Sequence, residues 1–523
     1  MTDRRSALSG ALFFPLLSLR EAHAKLPDFQ TGFGSFPEDL PDLEEEAADV
    51  VIVGAGAAGL AAAVEARKAG RSVLVIEKMG SIGGNSGISQ GLMSVPGTSM
   101  QEKLGIEDSP ERFEADMLKE SYCGHPGRIR LIAQKALETF EWTQKELGVR
   151  WRPDHLEKEI EASVARAAVI GSGSGAGLII PLYERARALG CRFEAGMKVE
   201  RIITNPRGVV LGVLARNARS GAVVRFRARF GVVLAAGGFG ADIAFREFCN
   251  PRLSERVGTT TQPGSTAEVL RAAAKIGAWT IHLQYISCIP DANPDEKGWG
   301  TCWQFTRYCA GAQGIWVERQ TGRRFTNEMG SAADRTNAVF DGLREGKDLV
   351  AVADARAVRH PRSGIFTAEG VETLVARGYV TEFDSLEKLA SELEIPLESL
   401  RQEIADYSQS VARGDAYDRW GRPIAQTAEP MGEAPWYAAP LTAKVLSCSG
   451  GVAVDLKARV LSVADDRPIP HLYAAGEITG GLHGVGYLGS CGILDALVFG
   501  RIAGREAAKR EKSLNEAATA LSA

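Results

Sequence analysis

The chain has 523 residues, a length that suits two or three domains better than one ordinary core. Its 61 Lys plus Arg against 65 Asp plus Glu leave a net charge of −4, which excludes the clustered basic excess of nucleic-acid-binding proteins. Apolar residues make up 45%, and no apolar run approaches the roughly 20 residues that span a bilayer. We therefore expect no nucleic-acid partner and no integral membrane segment.

The first 24 residues have the layout of an export signal. Arg4 and Arg5 form a twin-arginine pair, residues 11–19 are apolar, and residues 22–24 offer a small-x-small cleavage site. This order predicts a twin-arginine signal peptide over residues 1–24 and a periplasmic mature protein. If the segment is instead a slightly apolar N-terminus, the alternative is a cytoplasmic protein.

Residues 25–48 predict a linker. The segment is polar, contains Pro27, Pro37 and Pro41, and ends close to an acidic run at residues 44–46. Such a composition buries too little apolar surface to form a folded element.

The eight cysteines form no CxxC pair, and the chain has no CxxCH haem-attachment site. We therefore predict no metal site and no covalent haem. In an oxidising compartment one or two disulfides remain open, because the cysteine spacing does not select partners.

A dinucleotide-binding unit follows the linker. Residues 49–53 read as a buried strand, the glycine-rich GAGAAG sequence spans 54–59, and residues 60–68 read as a helix whose N-terminus would face a pyrophosphate. A second strand at 72–76 ends in Glu77, which suits a bidentate hold on a ribose diol. The cofactor-binding residues assigned here are Gly54, Gly56, Ala57, Ala58, Gly59, Glu77 and Lys78.

Three further segments favour a flavin over a nicotinamide. The glycine loop GGNSGIS spans 83–89, VVLAAGG spans 232–238, and HLYAAGEITGG spans 471–481. Each places small residues where a long cofactor needs close backbone contact. Because these segments are dispersed over more than 400 residues, the cofactor domain must be interrupted by an insertion.

With these motifs the chain resembles the fumarate reductase and succinate dehydrogenase flavoproteins, and most closely their soluble periplasmic branch, which includes flavocytochrome c and urocanate reductase. GIWVERQTGRRFTNE at 314–328, Asp334-Arg335 and the long block at 474–508 carry the resemblance further. It implies an α/β fold in which a Rossmann-type FAD-binding domain is interrupted by an α+β capping domain that clamps the substrate. The implied segments are an FAD-binding domain at 49–240 and 441–512, a capping domain at 241–440, and a tail at 513–523.

The same resemblance implies non-covalent FAD, because no flavin-linking histidine has a counterpart at Asn85-Ser86. It assigns Glu77 to the adenosine ribose, Glu477 to the sugar-alcohol chain of the flavin, and the start of a helix near Cys491 to the pyrimidine oxygen. The residues implied for this part of the cofactor are Gly83, Gly84, Asn85, Ser86, Gly91, Gly237, Gly476, Glu477, Cys491, Ile493 and Leu494.

For the chemistry, the family pattern implies hydride transfer from flavin N5 to one alkene carbon and protonation of the other by an arginine, here Arg335. An arginine can act as an acid only in a buried site with a proton relay behind it. The family's relay residues align with Arg307 and Ala310, so the relay is rebuilt through Arg307 or Tyr308, or Arg335 is not the acid.

The family's hold on the fumarate carboxylates is absent. Two histidines align with Ile289 and Ser447, and the carboxylate-binding arginine aligns with Tyr487, counted from His483. At roughly 1.5–3 kcal/mol per charged hydrogen bond, fumarate binding should fall by orders of magnitude. Ile289, Ser447 and Tyr487 instead predict a less charged substrate, with the Tyr487 phenol available to a carbonyl oxygen.

Three functions remain open from the sequence. The first is an exported FAD-dependent reductase of an α,β-unsaturated acid or ketone other than fumarate. The second is a flavin dehydrogenase that introduces a double bond beside a ketone, as in the 3-ketosteroid dehydrogenases, which is favoured by Tyr487. The third is a non-catalytic flavin electron carrier. Because the chain has no haem motif, the first function requires an external electron donor, for which we expect a c-type cytochrome.

Overall fold

A sheet of eight strands with helices packed against it carries the site, and a second, six-stranded sheet lies in the inserted segment. The computed structural model describes residues 43–159, 161–363 and 366–509. The predicted signal peptide at 1–24, most of the predicted linker and the predicted tail at 513–523 lie outside the described residues. Within the described residues, we find no helix with both the length and the apolar character needed to cross a bilayer.

The strands are β1 (Glu44–Val53), β2 (Val73–Glu77), β3 (Leu92–Ser94), β4 (Trp151–Glu157), β5 (Ala167–Ile170), β6 (Arg192–Ala195), β7 (Met197–Thr204), β8 (Val210–Asn217), β9 (Val223–Leu234), β10 (Gly258–Thr259), β11 (Thr280–Ile281), β12 (Ile286–Ala292), β13 (Ile315–Glu318), β14 (Leu349–Asp354), β15 (Thr381–Phe383), β16 (Trp436–Cys448), β17 (Gly451–Val452), β18 (Arg459–Leu461) and β19 (Pro468–Ala474).

The helices are α1 (Ala57–Lys68), α2 (Gly84–Ile88), α3 (Ser99–Lys103), α4 (Pro110–Ser121), α5 (Pro126–Lys145), α6 (Ala176–Ala188), α7 (Ile243–Cys249), α8 (Glu268–Lys275), α9 (Trp303–Phe305), α10 (Ala332–Arg344), α11 (Ala355–Arg359), α12 (Ala368–Ala376), α13 (Leu386–Glu392), α14 (Leu397–Arg413) and α15 (Gly492–Ala507). A π-helical turn (Thr306–Gly311) and a 3₁₀ turn (Gly476–Ile478) complete the regular structure.

The large sheet has the order β18-β19-β9-β1-β2-β6, with β8 pairing β9 and β7 pairing β8. β1 runs parallel to both β2 and β9, and β9 runs parallel to β19. The central strand β1 is apolar and fully buried through Val50, Val51 and Ile52, as expected for a strand covered on both faces. The predicted strand, glycine turn, helix and second strand are therefore confirmed, with the helix beginning at Ala57.

Helices α1 and α15 pack closely against each other beside this sheet. An added Cβ at Gly504 would lie 2.3 Å from the backbone oxygen of Ala62, so the two backbones approach to within a distance that only glycine allows. At the same contact, Arg501 Nε donates to Glu65 Oε1 at 2.9 Å. The N-terminal and C-terminal parts of the described chain are held together in this way.

The linker prediction is wrong at its end. β1 begins at Glu44, so residues 44–48 form strand structure rather than linker. The acidic run gains a partner that composition does not reveal, because it pairs in register with the arginine-rich start of β9. Glu45 lies 3.3 Å from Arg225 Nη1 and 3.4 Å from Arg227 Nη1.

The six-stranded sheet has the order β10-β16-β14-β13, with β12 and β15 also paired to β16. β16 is the longest strand, and it starts before and ends after the predicted boundary at residue 440. The division of the chain at residues 240 and 440 stays a prediction. Through β12 and β16 the six-stranded sheet brings its residues to the carboxyl edge of the eight-stranded sheet, where the cavity described next opens.

Candidate active site

A cavity of about 760 Å³ opens at the carboxyl ends of four parallel strands of the large sheet. Its lining includes Val53 at the end of β1, Glu77 at the end of β2, and Ala235 and Ala475 directly after β9 and β19. Ligands of open α/β sheets bind at this edge, where the loops of neighbouring strands diverge. From there the cavity continues between the flavin domain and the inserted segment.

The turn between β1 and α1 is built for close backbone contact. Gly54 has φ +108°, and an added Cβ there would lie 2.3 Å from the Ala235 backbone oxygen. A Cβ at Gly59 would lie 1.9 Å from the Gly54 oxygen, which fixes helix against strand. Gly56, Ala57 and Ala58 line the cavity at the start of α1, where the positive end of the helix dipole faces an anion.

Glu77 is held in place by the backbone. Its Oε2 accepts a hydrogen bond from the Ala55 amide at 2.9 Å, and its Oε1 accepts one from the Met79 amide at 2.8 Å. Each carboxylate oxygen keeps a second lone pair, and the side chain lines the cavity, as the assignment to a ribose diol requires. The neighbouring Lys78 also lines the cavity and forms an ion pair with Glu268 at 3.3 Å.

Asn85 and Glu477 join the glycine loop, the C-terminal block and the inserted segment. Asn85 Nδ2 donates to Glu477 Oε2 at 3.2 Å, and the Gln262 amide donates to Asn85 Oδ1 at 2.9 Å. Glu477 Oε1 accepts from the Cys448 amide at 2.9 Å. Burial raises the pKa of Glu477, although the hydrogen bonds from the Cys448 amide and from Asn85 oppose this shift.

The N-terminus of α15 forms another wall of the cavity. Gly492 and Ile493 line it, and the Gly492 amide donates to the Tyr487 hydroxyl at 2.9 Å. The phenol therefore accepts from the helix start and retains its own proton for a ligand in the cavity. Burial raises the pKa of Tyr487 well above its usual value, which keeps this proton in place.

Most of the predicted cofactor residues are brought together around this one cavity. Those that line it are Gly54, Gly56, Ala57, Ala58, Glu77, Lys78, Gly84, Asn85, Ser86, Gly91, Gly237, Gly476, Glu477 and Ile493. Four do not line it: Gly59, Gly83, Cys491 and Leu494. The last two lie fully buried at the start of α15, where their side chains pack into the core.

The residues that the sequence aligns with the family's fumarate-binding groups line the same cavity. Ile289 of β12, Ser447 of β16 and Tyr487 all line it. Ile289 is 3% exposed and offers no polar group. Gln90 and Trp299 also line this cavity, and each has a buried side-chain nitrogen, Nε2 and Nε1, without a hydrogen-bond partner in the described structure.

Two arginines share one buried carboxylate. Arg307 Nε donates to Asp291 Oδ2 at 2.8 Å, and Arg335 Nη1 donates to the same oxygen at 3.5 Å. Asp291 is fully buried and Arg335 is 1% exposed. Burial lowers the pKa of Arg335, although the charge of Asp291 opposes this. For Arg307 burial also lowers the pKa, but the charges of Asp291, Tyr308 and Glu159 together outweigh burial and raise it.

The two arginines differ in their access to the cavity. Arg307 lines it, while Arg335 lies behind Ala332 and Thr336 of the same helix, α10, which do line it. Tyr308 is not among the lining residues, and its ring packs against Trp303 with centroids 5.7 Å apart. The geometry therefore connects Arg335 to the cavity through Asp291 and Arg307 rather than through Tyr308.

Sequence reasoning missed Asp291 and a set of glutamates. Asp291 lies two residues after Ile289, but its partners come from the π-helical turn and from α10, and no local pattern indicates that pairing. Glu120, Glu159 and Glu161 also line the cavity. They belong to no motif, since Glu120 ends a surface helix and the other two stand in a charged loop after β4.

The residues present fit FAD. The strand ends and glycines leave a channel along the sheet edge, a helix N-terminus faces the pyrophosphate position, and Glu77 and Glu477 supply oxygen acceptors for two sugar groups. Gln90 lines the same cavity, and its buried Nε2 has no partner among the described residues. This donor set matches a long, polar dinucleotide carrying a planar ring system.

Comparison with known proteins gives the same identification. The FAD binding domain family model matches residues 49–493. An acrylate reductase flavoprotein subunit of Shewanella woodyi is 33% identical over 87% of this chain and 90% of its own length. A urocanate reductase of Eggerthella lenta is 31% identical over 88% of this chain and 74% of its own length.

Among solved structures, the open conformation of a flavocytochrome c3 fumarate reductase is similar to the chain with a TM-score of 0.74 and 28% identity. The match covers 88% of this chain and 78% of that one. These likenesses confirm the resemblance inferred from the motifs, the interrupted α/β fold and the FAD cofactor. The chain belongs to the FAD binding domain family and is a flavin-dependent oxidoreductase with the fold of the fumarate reductase flavoproteins.

Proposed function

We propose that the protein reduces the C=C bond of an α,β-unsaturated acid or ketone other than fumarate. The observation that carries the proposal is the shared carboxylate of Asp291, which joins Arg335 to Arg307 at a cavity continuous with the flavin channel. The acrylate and urocanate reductases to which the chain is similar act, by their names, on unsaturated acids other than fumarate.

Reduced FAD, when bound, supplies a hydride to the alkene. The protein must supply a proton to the other alkene carbon, and we assign that proton to Arg335, whose guanidinium must move past Ala332 and Thr336 into the cavity to deliver it. Burial lowers the pKa of the Arg335 guanidinium and so makes it more acidic than usual. After Arg335 has given up its proton, the negative charge of Asp291 is balanced by Arg307, which keeps its own proton because its pKa is raised. Arg307 reaches the cavity and can pass a proton inward through Asp291 after each turnover.

The groups available for substrate binding do not suit a dicarboxylate. Ile289 provides no hydrogen bond, and the Ser447 hydroxyl and Tyr487 phenol provide neutral ones in place of charged donors. Neutral hydrogen-bond donors are suited to a single carbonyl oxygen of the substrate, whose C=C bond they polarise. Unlike the charged groups that bind fumarate, they do not require a second carboxylate.

The testing experiment is anaerobic reoxidation of the flavoprotein after reduction with a viologen dye. The substrates are fumarate, urocanate, methacrylate, cinnamate-type acrylates and 4-ene-3-ketosteroids. We expect an aryl acrylate or an enone to reoxidise the enzyme while fumarate does not. Rapid turnover of fumarate would contradict the role given to Ile289, Ser447 and Tyr487, and reoxidation by none of the panel would favour a non-catalytic electron carrier.

The proton donor is tested with Arg335→Ala. We expect kcat for alkene reduction to fall by roughly 10²–10⁴-fold, the usual contribution of general acid catalysis. Arg335→Lys keeps the buried charge and serves as a second variant if the alanine variant unfolds, and Arg344→Ala on the exposed part of the same helix is the matched control. Retained alkene reduction by folded Arg335→Ala, with loss in Arg307→Ala, would transfer the acid role to Arg307.

A second candidate is a flavin dehydrogenase that introduces a double bond beside a ketone. The contact between the Tyr487 hydroxyl and the Gly492 amide favours it, because the phenol can donate to an enolate oxygen beside a helix N-terminus. The direction of the reaction distinguishes the two functions. A dehydrogenase oxidises saturated ketones in the presence of an artificial electron acceptor, and the Arg335→Ala variant would still do so.

We also propose that the protein acts in the periplasm and takes electrons from a separate c-type cytochrome. The twin-arginine pattern at residues 1–24 supports the location, and the absence of a haem-attachment motif in the sequence supports a separate donor. Reduction by a c-type cytochrome, with no turnover on NADH, is the expected result. Rapid NADH-dependent turnover by the purified protein would instead favour a cytoplasmic donor.

A further inference from the structure

Three glutamates that line the cavity lie close to one another. Glu120 lies in the last turn of α4, and Glu159 and Glu161 follow β4. All three line the same cavity as Arg307. Two of them have partners. Glu159 accepts from the Ser490 hydroxyl at 2.5 Å, and Glu161 accepts from the Ala332 amide at 3.3 Å at the start of α10.

Glu120 differs because its carboxylate has no hydrogen-bond or ion-pair partner among the described residues. Its side chain is nevertheless buried, with the residue only 9% exposed. The carboxylate lies against Gly486, where an added Cβ would stand 2.8 Å from Glu120 Oε1, and Gly486 itself lines the cavity. An unpaired carboxylate thus faces the space that a substrate would occupy.

The cations nearby do not neutralise Glu120. Arg307 and Arg335 are both committed to Asp291, at 2.8 Å and 3.5 Å. Glu161 and Asp334 add negative charge around Glu120, and Lys119 on the same helix opposes them only in part. A buried carboxylate without a partner is costly, and a cationic ligand group removes that cost by supplying the missing charge and donors.

We propose that Glu120, supported by Glu161, forms a subsite for a protonated nitrogen group on the substrate, such as an ammonium, an amidinium or an imidazolium. The inference rests on the proposed function and narrows it: the substrate carries its unsaturated carbonyl toward Ser447 and Tyr487 and a basic nitrogen toward Glu120. A neutral aryl or alkyl group in the same place would leave the carboxylate unpaired.

The test uses near-isosteric pairs that differ by charge. 4-(Aminomethyl)cinnamate is compared with 4-ethylcinnamate, and 4-(aminomethyl)benzylideneacetone with 4-ethylbenzylideneacetone, as oxidants of the viologen-reduced holoenzyme. The saturated analogues are titrated into the oxidised holoenzyme, and binding is followed by the flavin absorption spectrum. We expect the ammonium member to be favoured about tenfold or more in both measurements, the effect of one charged hydrogen bond.

Glu120→Gln should remove most of that preference, lowering the ammonium-to-ethyl ratio about tenfold, and Glu161→Gln should lower it less. Glu111→Gln, an exposed position on the same helix, is the matched control and should leave the ratio unchanged. A ratio near one in the unaltered enzyme, or one that Glu120→Gln does not change, overturns the subsite. An equal loss for both members of a pair also overturns it, because it would show a general structural or acid role.

The two proposals can fail separately. Turnover of both pairs without discrimination would keep the reductase function and remove the cationic subsite. Glu120-dependent binding of the saturated ammonium analogue, with no alkene reduced, would keep the subsite and remove the reductase function.

Discussion

At the scale of single residues, the buried carboxyl of Glu120 couples the site to pH. Burial, and then the charge of Glu161, raises its pKa from 4.5 to about 7. Below pH 4.5 the acid is protonated in both the folded and the unfolded chain. As the pH rises, the unfolded chain ionises first, so this group's contribution to stability decreases and the decrease is complete above about pH 7.

We therefore expect Glu120→Gln to stabilise the ligand-free flavoprotein above pH 7 by up to roughly 3 kcal/mol and to have little effect near pH 4.5. The measurement is urea unfolding at about pH 4.5, 6 and 8. Glu184→Gln, an exposed glutamate of α6, is the control and should show no such trend. Equal stabilisation of Glu120→Gln at all three pH values would mean that the gain comes from packing and not from ionisation.

Whether a residue of the site could be predicted from the sequence depends on how far away its partners lie in the chain. Gly54, Gly56 and Glu77 were predictable because the fingerprint places its parts within one strand-turn-helix unit. Asp291 and Glu120 were not, because their roles depend on neighbours that are 16 to 366 positions away, such as Arg307 for Asp291 and Gly486 for Glu120.

At the scale of elements, the junction of β1 and α1 depends on Gly59. Its Cα approaches the Gly54 backbone so closely that an added Cβ would lie 1.9 Å from the Gly54 oxygen. A methyl group there must push the helix away from the strand, which moves the helix N-terminus from the pyrophosphate position.

Gly59→Ala should accordingly weaken FAD binding roughly tenfold to a hundredfold, since overpacking a tight contact costs about 1–3 kcal/mol. Flavin-to-protein absorbance ratios after purification and FAD titration of the apoprotein measure the effect. Gly80→Ala is the matched control, because a Cβ there meets nothing within 4 Å and the glycine does not need a positive φ. Full flavin content in Gly59→Ala would show that the helix can shift without disturbing the cofactor.

Elements of the inserted segment were less predictable than those of the flavin domain. The π-helical turn at Thr306–Gly311 presents Arg307 to Asp291 on β12, yet nothing in the local sequence distinguishes it from an ordinary helical turn.

The acidic run at residues 44–46 was also mispredicted, because the sequence assigned it to a linker and it forms strand. The residues of β9 with which it pairs lie about 180 positions away in the sequence.

At the scale of the whole molecule, the cavity that we assign to FAD is lined by segments that lie far apart in the sequence. Strand ends from the first half, the 3₁₀ turn at Gly476–Ile478 and the start of α15 meet along it. A cofactor that contacts all of them binds the folded chain and not the unfolded one, so it stabilises the fold by mass action.

Removal of FAD should lower the free energy of unfolding by about 4 kcal/mol relative to protein at a free FAD concentration of 1,000 times its Kd. Thermal or urea unfolding of apoprotein and reconstituted protein gives the difference. Added FAD should restore the stability, whereas riboflavin should not, because it lacks the pyrophosphate and adenosine that the α1 start and Glu77 would hold. Full restoration by riboflavin would contradict the assignment of this end of the channel.

The sequence by itself determined the cofactor class, the strand-turn-helix that binds it and the interrupted order of the cofactor domain. These follow from short motifs whose geometry is local, and glycine at a tight turn or an acid at a strand end has the same meaning in any context. Tertiary structure alone decided which carboxylate joins Arg335 to Arg307 and which buried glutamate lines the cavity without a partner. Those properties belong to pairs of distant residues, because burial and electrostatic coupling exist only once the chain has folded and brought them together.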